Sequence, residues 1–231
     1  INPSTRLFGW TTSSLEDEEI KKSQFIEMLK KADLNISDFE FIEEHIELDD
    51  EMLKRIELFP IPDDAKDEIV KNQKISAKDV LFKHEFQGED GNKKTMDLSM
   101  KWESSGTMRY YGLAGPVLSA LNKSKVVFID ELETSLHPDL MKHLILTFLA
   151  NSKNSQLIFT THNVSLFAER DVLRNDSIWF TEKNKNGATS LYSASDFKSS
   201  DLRKSSSIFN AYKIGKLGAK PNTSGIFISN G

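Results

Sequence analysis

Two short apolar runs separated by one helical stretch constrain this chain more than any other feature. Val126-Val127-Phe128-Ile129 is followed at once by Asp130-Glu131, and Gln156-Leu157-Ile158-Phe159-Thr160-Thr161 is followed by His162. Between them Pro138 suits the first position of a helix over Asp139 to Ala150, which carries Leu140, Met141, Leu144, Ile145, Phe148 and Leu149 and is apolar almost all round, as a core helix is. Strand, helix, strand at this spacing is a βαβ unit, with parallel strands and a right-handed crossover. The continuous apolar run before Asp130 is the pattern of a parallel strand covered on both faces. Asp130, Glu131 and His162 then leave the carboxyl edge of one sheet, where open α/β sheets bind their ligands. At that edge Asp130 is expected beside a divalent cation and Glu131 beside a water molecule, the arrangement of a nucleotide-hydrolysing site. Each residue alone has a plainer reading, a strand that stops at solvated acids or a structural histidine at a strand end. Their alignment favours a site.

Composition removes several classes of function. No apolar run approaches the length that spans a bilayer, since the richest, Leu144 to Ala150, is short and holds Thr147. No membrane partner is therefore expected, and the absence of cysteine excludes disulfides and thiolate metal sites and fits a reducing cytoplasm. A net charge of −5 argues against sequence-independent nucleic-acid binding as the main task. The charge is uneven, with 19 acids and 10 bases in residues 1–75 against 16 and 20 in the remainder. A local phosphate-facing patch in the basic part therefore stays open, and nucleic acid is possible without being indicated. There is no secretory signal, and the chain begins Ile1-Asn2-Pro3 rather than with Met, so it is expected to be one portion of a longer product.

Along the chain, Ser13-Ser14 with Glu16-Asp17 form a plausible capping box for one amphipathic surface helix over 13–33. A half-polar strand over Ile36 to Leu48 follows, then short helical stretches at Glu51 to Leu58 and Asp63 to Lys71, read as an acidic solvated insertion. Val80 to Phe86 and Thr95 to Trp102 flank Gln87 to Asn92, whose glycines and Asp/Asn supply turn conformations, so a hairpin is expected. The segment GEDGNKKT within it imitates a phosphate loop, but GxxxxGK[ST] needs glycine where Lys93 stands, and no other segment fits. Ser104-Ser105-Gly106-Thr107 precedes a helix over Met108 to Leu121, a helix start that can hold an anion or serve as an ordinary N-cap. Gly115-Pro116 should kink or divide that helix. Asn163 should cap a helix through Arg170, and Ser177 to Thr181 with Thr189 to Ser193 frame a second hairpin at Asn184 to Gly187. After a serine-rich stretch a short helix over Ile208 to Ile214 is expected, then a glycine-rich, partly mobile tail.

Taken together, ESSGT (103–107), KVVFIDELETSLHP (125–138) and QLIFTTHN (156–163) resemble the ABC-type ATPases of the overcoming-lysogenisation-defect and abortive-infection group, relatives of the SMC and RecF ATPases. The likeness is clearest over residues 95–170; the segment from Ile208 through Pro221 is also similar to the end of these proteins, and residues 1–75 match only loosely. The resemblance implies an α/β P-loop NTPase fold, an ABC-ATPase-like head with a parallel core sheet, flanking helices and β-hairpins, its amino-terminal lobe missing or upstream. It divides the chain into an insertion at 1–79, an ATPase core at 80–194 and a helix with tail at 195–231.

By the same resemblance Ser104, Ser105 and Gly106 belong to the signature motif and contact ATP. Asp130 and Glu131 are the Walker B pair, Asp130 holding Mg²⁺ and Glu131 orienting the catalytic water, His162 is the switch histidine, and Ser135 and His137 lie in the D-loop and contact the nucleotide, His137 either shaping the loop or meeting the dimer seam. The signature helix would face nucleotide held by a second protomer, so a homodimer or higher oligomer with sandwiched ATP is implied. The Walker A loop is expected upstream of this chain; a degenerate subunit is the alternative. The family implies an anti-phage defence ATPase that controls an effector nuclease or toxin in the cytoplasm, with an SMC/RecF-type repair ATPase or a non-hydrolysing scaffold as competing readings. Glu131 argues against the scaffold, and the lack of long heptad runs argues against the SMC form.

Overall fold

The computed structural model describes residues 7–56, 63–169, 172–197 and 207–221. The chain divides between Lys123 and Ser124 into two compact units.

The amino-terminal unit carries helices α1 (Leu7–Glu16), α2 (Lys22–Lys31), α3 (Asp50–Ile56), α4 (Asp63–Asn72) and α5 (Ser105–Lys123), and strands β1 (Ile36–Glu47), β2 (Lys74–Gln87) and β3 (Lys93–Ser99). The strands form an antiparallel sheet in the order β1-β2-β3. The single helix expected over 13–33 is two helices. Ser13 and Ser14 lie inside α1 rather than capping anything, Glu18 takes a left-handed φ of 55°, and Lys21, the N-cap of α2, makes no side-chain cap. Phe25, Phe39, Phe82 and Tyr111 are buried and meet edge to face or tilted, so one aromatic cluster joins α2, β1, β2 and α5. Such pairs contribute beyond the area they bury.

The hairpin of β2 and β3 forms as the sequence indicates, with Gly91 at φ 75° and the Gly88 amide donating to Asn92 O at 2.9 Å. Its first strand begins at Lys74 and runs unbroken to Gln87, paired along β1, so the 79/80 boundary read from sequence lies inside a strand. The second strand stops at Ser99, and residues 100–102 form a 3₁₀ turn.

Helix α5 runs without interruption from Ser105 to Lys123, with Pro116 inside it, so Gly115-Pro116 does not divide it. The reason lies in α1. Proline offers no amide to the carbonyl four residues back, which is Gly112 O. The hydroxyl of the fully buried Thr11 donates to that carbonyl at 3.0 Å and replaces the missing bond. Gly115 makes room for this contact, since a Cβ there would lie 2.2 Å from Thr11 Oγ1.

The carboxyl-terminal unit opens with β4 (Val126–Ile129), α6 (Pro138–Asn151) and β5 (Gln156–Phe159), and β4 pairs β5 in parallel from Val126↔Gln156 to Ile129↔Phe159. The βαβ reading holds, but the expectation of a strand covered on both faces does not. Val126 is 51% and Phe128 60% exposed, Ile158 is also exposed, and Ile129 is buried, so the apolar run alternates. Among the described residues this sheet has two strands, and one of its faces stays largely exposed. Helix α6 likewise buries Met141, Leu144, Ile145 and Phe148 while Leu149 is 50% exposed, so it is not a helix buried all round.

Further on, a hairpin of β6 (Trp179–Lys183) and β7 (Thr189–Ser193) turns at Gly187, φ 81°. Helix α7 (Ile208–Lys213) packs Ile208 and Ala211 with Phe180 and Leu217. Asn163 caps a 3₁₀ turn over Val164–Ala168 rather than an α-helix; Arg170 lies outside the described residues. Of the tail expected to be mobile, residues 215–221 are held to this unit: Leu217 is buried, and the Tyr192 and Tyr212 hydroxyls donate to Leu217 O and Ala219 O. The serine-rich residues 198–206 and the end, 222–231, lie outside the described residues.

Candidate functional site

The parallel ladder of β4 and β5 continues one step past the strands, with Thr160 N–H donating to Ile129 O and Leu132 N–H donating to Thr160 O, both at 3.0 Å. This extension fixes the register of the two loops that carry Asp130-Glu131 and His162, so the convergence inferred from the strand order is realised. Thr160 is the residue that organises it. Its hydroxyl donates to Asp130 Oδ1 at 2.5 Å and accepts the Glu131 amide at 2.8 Å, tying both members of the acidic pair to β5.

Glu131 takes a left-handed backbone, φ 48°, which a side chain with a Cβ adopts only at a cost of about 1–2 kcal/mol. The same conformation lets the Thr134 amide close a turn onto Glu131 O at 3.1 Å, while the Thr134 hydroxyl donates to Glu131 Oε2 at 3.2 Å. A residue held in a costly conformation at a strand end, with its carboxylate oriented by a neighbour, matches a side chain placed for chemistry. His162 Nε2 lies 3.9 Å from Glu131 Oε1, beyond a hydrogen bond. The imidazole is 88% and the Glu131 side chain 45% exposed, so both reach open space in front of the strand ends.

A third carboxylate, Glu133, accepts the His162 amide on Oε1 at 2.5 Å, and its Oε2 is buried without a hydrogen-bond partner. Neither Thr160, Thr134 nor Glu133 stands out in the sequence as a site residue. The one legible signal is the pair Thr160-Thr161 closing an apolar strand immediately before His162.

Ser135 is exposed and left-handed at φ 61°, a turn position. His137 caps α6, its Nδ1 accepting the Asp139 amide at 3.3 Å, which gives the loop-shaping alternative a definite structural content. Ser104, Ser105 and Gly106 belong to the other unit. Ser104 caps α5 by accepting the Thr107 amide at 3.0 Å, and the first-turn amides of Ser105 and Gly106 have no intrahelical acceptor because they open the helix. The approach to this start is pinned twice. His84 on β2 lies 2.5 Å from Glu103 Oε1, and the buried Asp79 accepts the Ser99 hydroxyl at 2.6 Å.

For a cation the site offers the neighbouring carboxylates of Asp130 and Glu131, and among the described residues no three His, Asp or Glu gather as a metal cage. That donor set fits Mg²⁺, which keeps several waters and is held by one or two carboxylates together with substrate phosphates. No helix among the described residues is long and apolar enough to cross a membrane.

A family model described as "AAA domain, putative AbiEii toxin, Type IV TA system" matches residues 11–168. No curated protein matches the chain.

Proposed function

The chain belongs to this AAA-domain family, an ATPase-type family linked to the AbiEii toxin of type IV toxin–antitoxin systems, and from that premise we propose that it is the Walker B and switch portion of a Mg²⁺-dependent ATPase in a defence system. The observation that supports this reading most is the convergence of Asp130, Glu131 and His162 at one sheet edge, with Thr160 fixing the first two. Phosphoryl transfer to water asks mainly for alignment and charge neutralisation. In this reading Mg²⁺, when bound, offsets charge on the nucleotide's phosphates and is held by Asp130. Glu131 orients the attacking water and accepts its proton, and the exposed imidazole of His162 reaches the γ-phosphate.

The phosphate cradle is not in this sequence, which has no GxxxxGK[ST]. We place it on an upstream segment of a longer product that covers the open face of Val126, Phe128 and Ile158, an apolar patch of the kind that marks an interface. The helix start at Ser104-Ser105-Gly106 then receives the nucleotide of a second protomer, making a head-to-tail dimer with ATP between the heads. Dimerisation in turn would control an effector nuclease or toxin, and this places the protein in an abortive-infection or toxin–antitoxin response of the ABC-type overcoming-lysogenisation-defect group.

The test uses the intact protein. Phosphate release from ATP should require Mg²⁺ and stop with EDTA, and light scattering should show an ATP-dependent dimer that Ser105→Arg abolishes while nucleotide binding to the monomer persists. Absence of turnover with Mg²⁺ present contradicts the ATPase reading; an unchanged dimer in Ser105→Arg contradicts the placement of the signature.

A further inference from the structure

Glu133 stands two residues beyond the catalytic candidate and is half-buried, with one carboxylate oxygen, Oε2, buried, and the mechanism above does not use it. Taking a carboxylate oxygen out of water is costly unless it is paired or hydrogen-bonded. Here Oε1 accepts a single hydrogen bond, from the backbone amide of His162 at 2.5 Å, and Oε2 meets no donor. The carboxylate therefore does not brace its own loop. That loop closes on itself through backbone bonds, Thr134 N–H to Glu131 O and Leu136 N–H to Glu133 O.

His162 depends on this contact. The β4–β5 ladder ends with the bond from Leu132 N–H to Thr160 O, so the residues after Thr160 leave the sheet without a strand partner. The imidazole is 88% exposed, and 3.9 Å separate it from Glu131. What fixes the reach of the side chain is then its backbone anchor. Resting on the ATPase reading, we propose that Glu133 is a positioning residue, which clamps the loop after β5 to the loop after β4 and thereby sets the distance between the His162 imidazole and the Glu131 carboxylate. A displacement of about 1 Å at a reacting group costs on the order of 100-fold in rate, so the clamp bears on turnover more than on nucleotide binding.

The experiment has two arms. In the first, two-dimensional ¹⁵N NMR of the intact protein follows the His162 amide without nucleotide. The wild-type proton should lie downfield and exchange slowly, as a bond to a carboxylate requires. It should move upfield and exchange fast in Glu133→Ala, and stay near its wild-type position in Glu133→Gln, which keeps an acceptor oxygen. In the second, steady-state ATPase of the intact protein should show kcat falling about 10–100-fold in Glu133→Ala with KM for ATP within about twofold, and recovery to within about threefold of wild type in Glu133→Gln.

A wild-type His162 amide that exchanges freely overturns the proposal, as does Gln behaving like Ala, or Ala leaving kcat unchanged. If Glu133→Ala does not fold, the wild-type amide and the Gln variant still decide. The amide result is independent of hydrolysis, so an intact protein that shows no turnover with Mg²⁺ present would refute the ATPase reading while leaving the clamp measured.

Discussion

Replacing Thr11 by Val should expose the one carbonyl that Pro116 leaves without an intrahelical donor. In the structure the Thr11 hydroxyl is fully buried and lies 3.0 Å from Gly112 O, and the neighbouring proline cannot supply an amide. Leaving a buried acceptor unsatisfied costs about 1–3 kcal/mol, whereas an average hydrogen bond contributes about 1 kcal/mol net. The distinguishing variant is Pro116→Ala, which restores the amide four residues beyond Gly112. In that background Thr11→Val should cost at least about 1 kcal/mol less, a coupling that a double-mutant cycle isolates. With a urea slope of about 2 kcal/mol/M, this corresponds to a midpoint difference of about 0.5 M. The assay is urea unfolding of the four members of the cycle, followed by tryptophan fluorescence, with Thr11→Ser as the control that keeps the hydroxyl. Equal costs in the proline and alanine backgrounds would refute the account of why α5 continues unbroken past its proline. The matter bears on function because α5 begins at the Ser104-Ser105-Gly106 segment, and an unbroken helix holds that segment to the aromatic core.

Other consequences are open to direct measurement. Gly115→Ala should destabilise the chain by about 1–3 kcal/mol, because its Cβ would sit 2.2 Å from Thr11 Oγ1, and Thr11→Ala in the same chain should recover part of the loss in a thermal melt. Thr160→Val removes the hydroxyl shared by Asp130 and the Glu131 amide; kcat of the intact protein should drop at least about 10-fold, while Thr160→Ser retains most of it. Burial holds the phenols of Tyr110 and Tyr111 well above the ordinary tyrosine range. Their folded pKa values exceed the unfolded value of about 10, so this contribution to stability is complete below about pH 10 and is lost as pH rises beyond it. Absorbance titration at about 295 nm should therefore show only part of the four tyrosines ionising before the chain unfolds.

Local patterns were legible in the sequence wherever they obeyed short-range rules. The βαβ unit followed from two β-branched and aromatic runs around a capped helix, and both hairpins followed from glycines at positions that need positive φ. Asp130, Glu131 and His162 were found together because parallel pairing places two strand ends on one edge.

Features that depend on distant partners were not legible. Thr11 lies 101 residues before Gly112, so nothing near Gly115-Pro116 announces that α5 stays whole. The run at 126–129 looks the same whether one face or two is covered, and only neighbouring elements decide that Val126 and Phe128 remain exposed. Thr160 and Glu133 work through backbone amides on the opposite loop, contacts that no spacing motif encodes.

Glu131 carries the central claim, since its left-handed backbone, its link to Thr134 and its place beside Asp130 are all accounted for by a water-orienting role. The most direct test is single-turnover phosphate release from Mg²⁺-ATP by the intact protein, wild type against Glu131→Gln, with nucleotide binding measured in parallel. The account predicts that Glu131→Gln binds ATP as wild type does, slows release by about 100-fold or more, and accumulates a stable dimer with uncleaved nucleotide. Release at the wild-type rate from the Gln variant would remove Glu131 from the chemistry and contradict the assignment of the site.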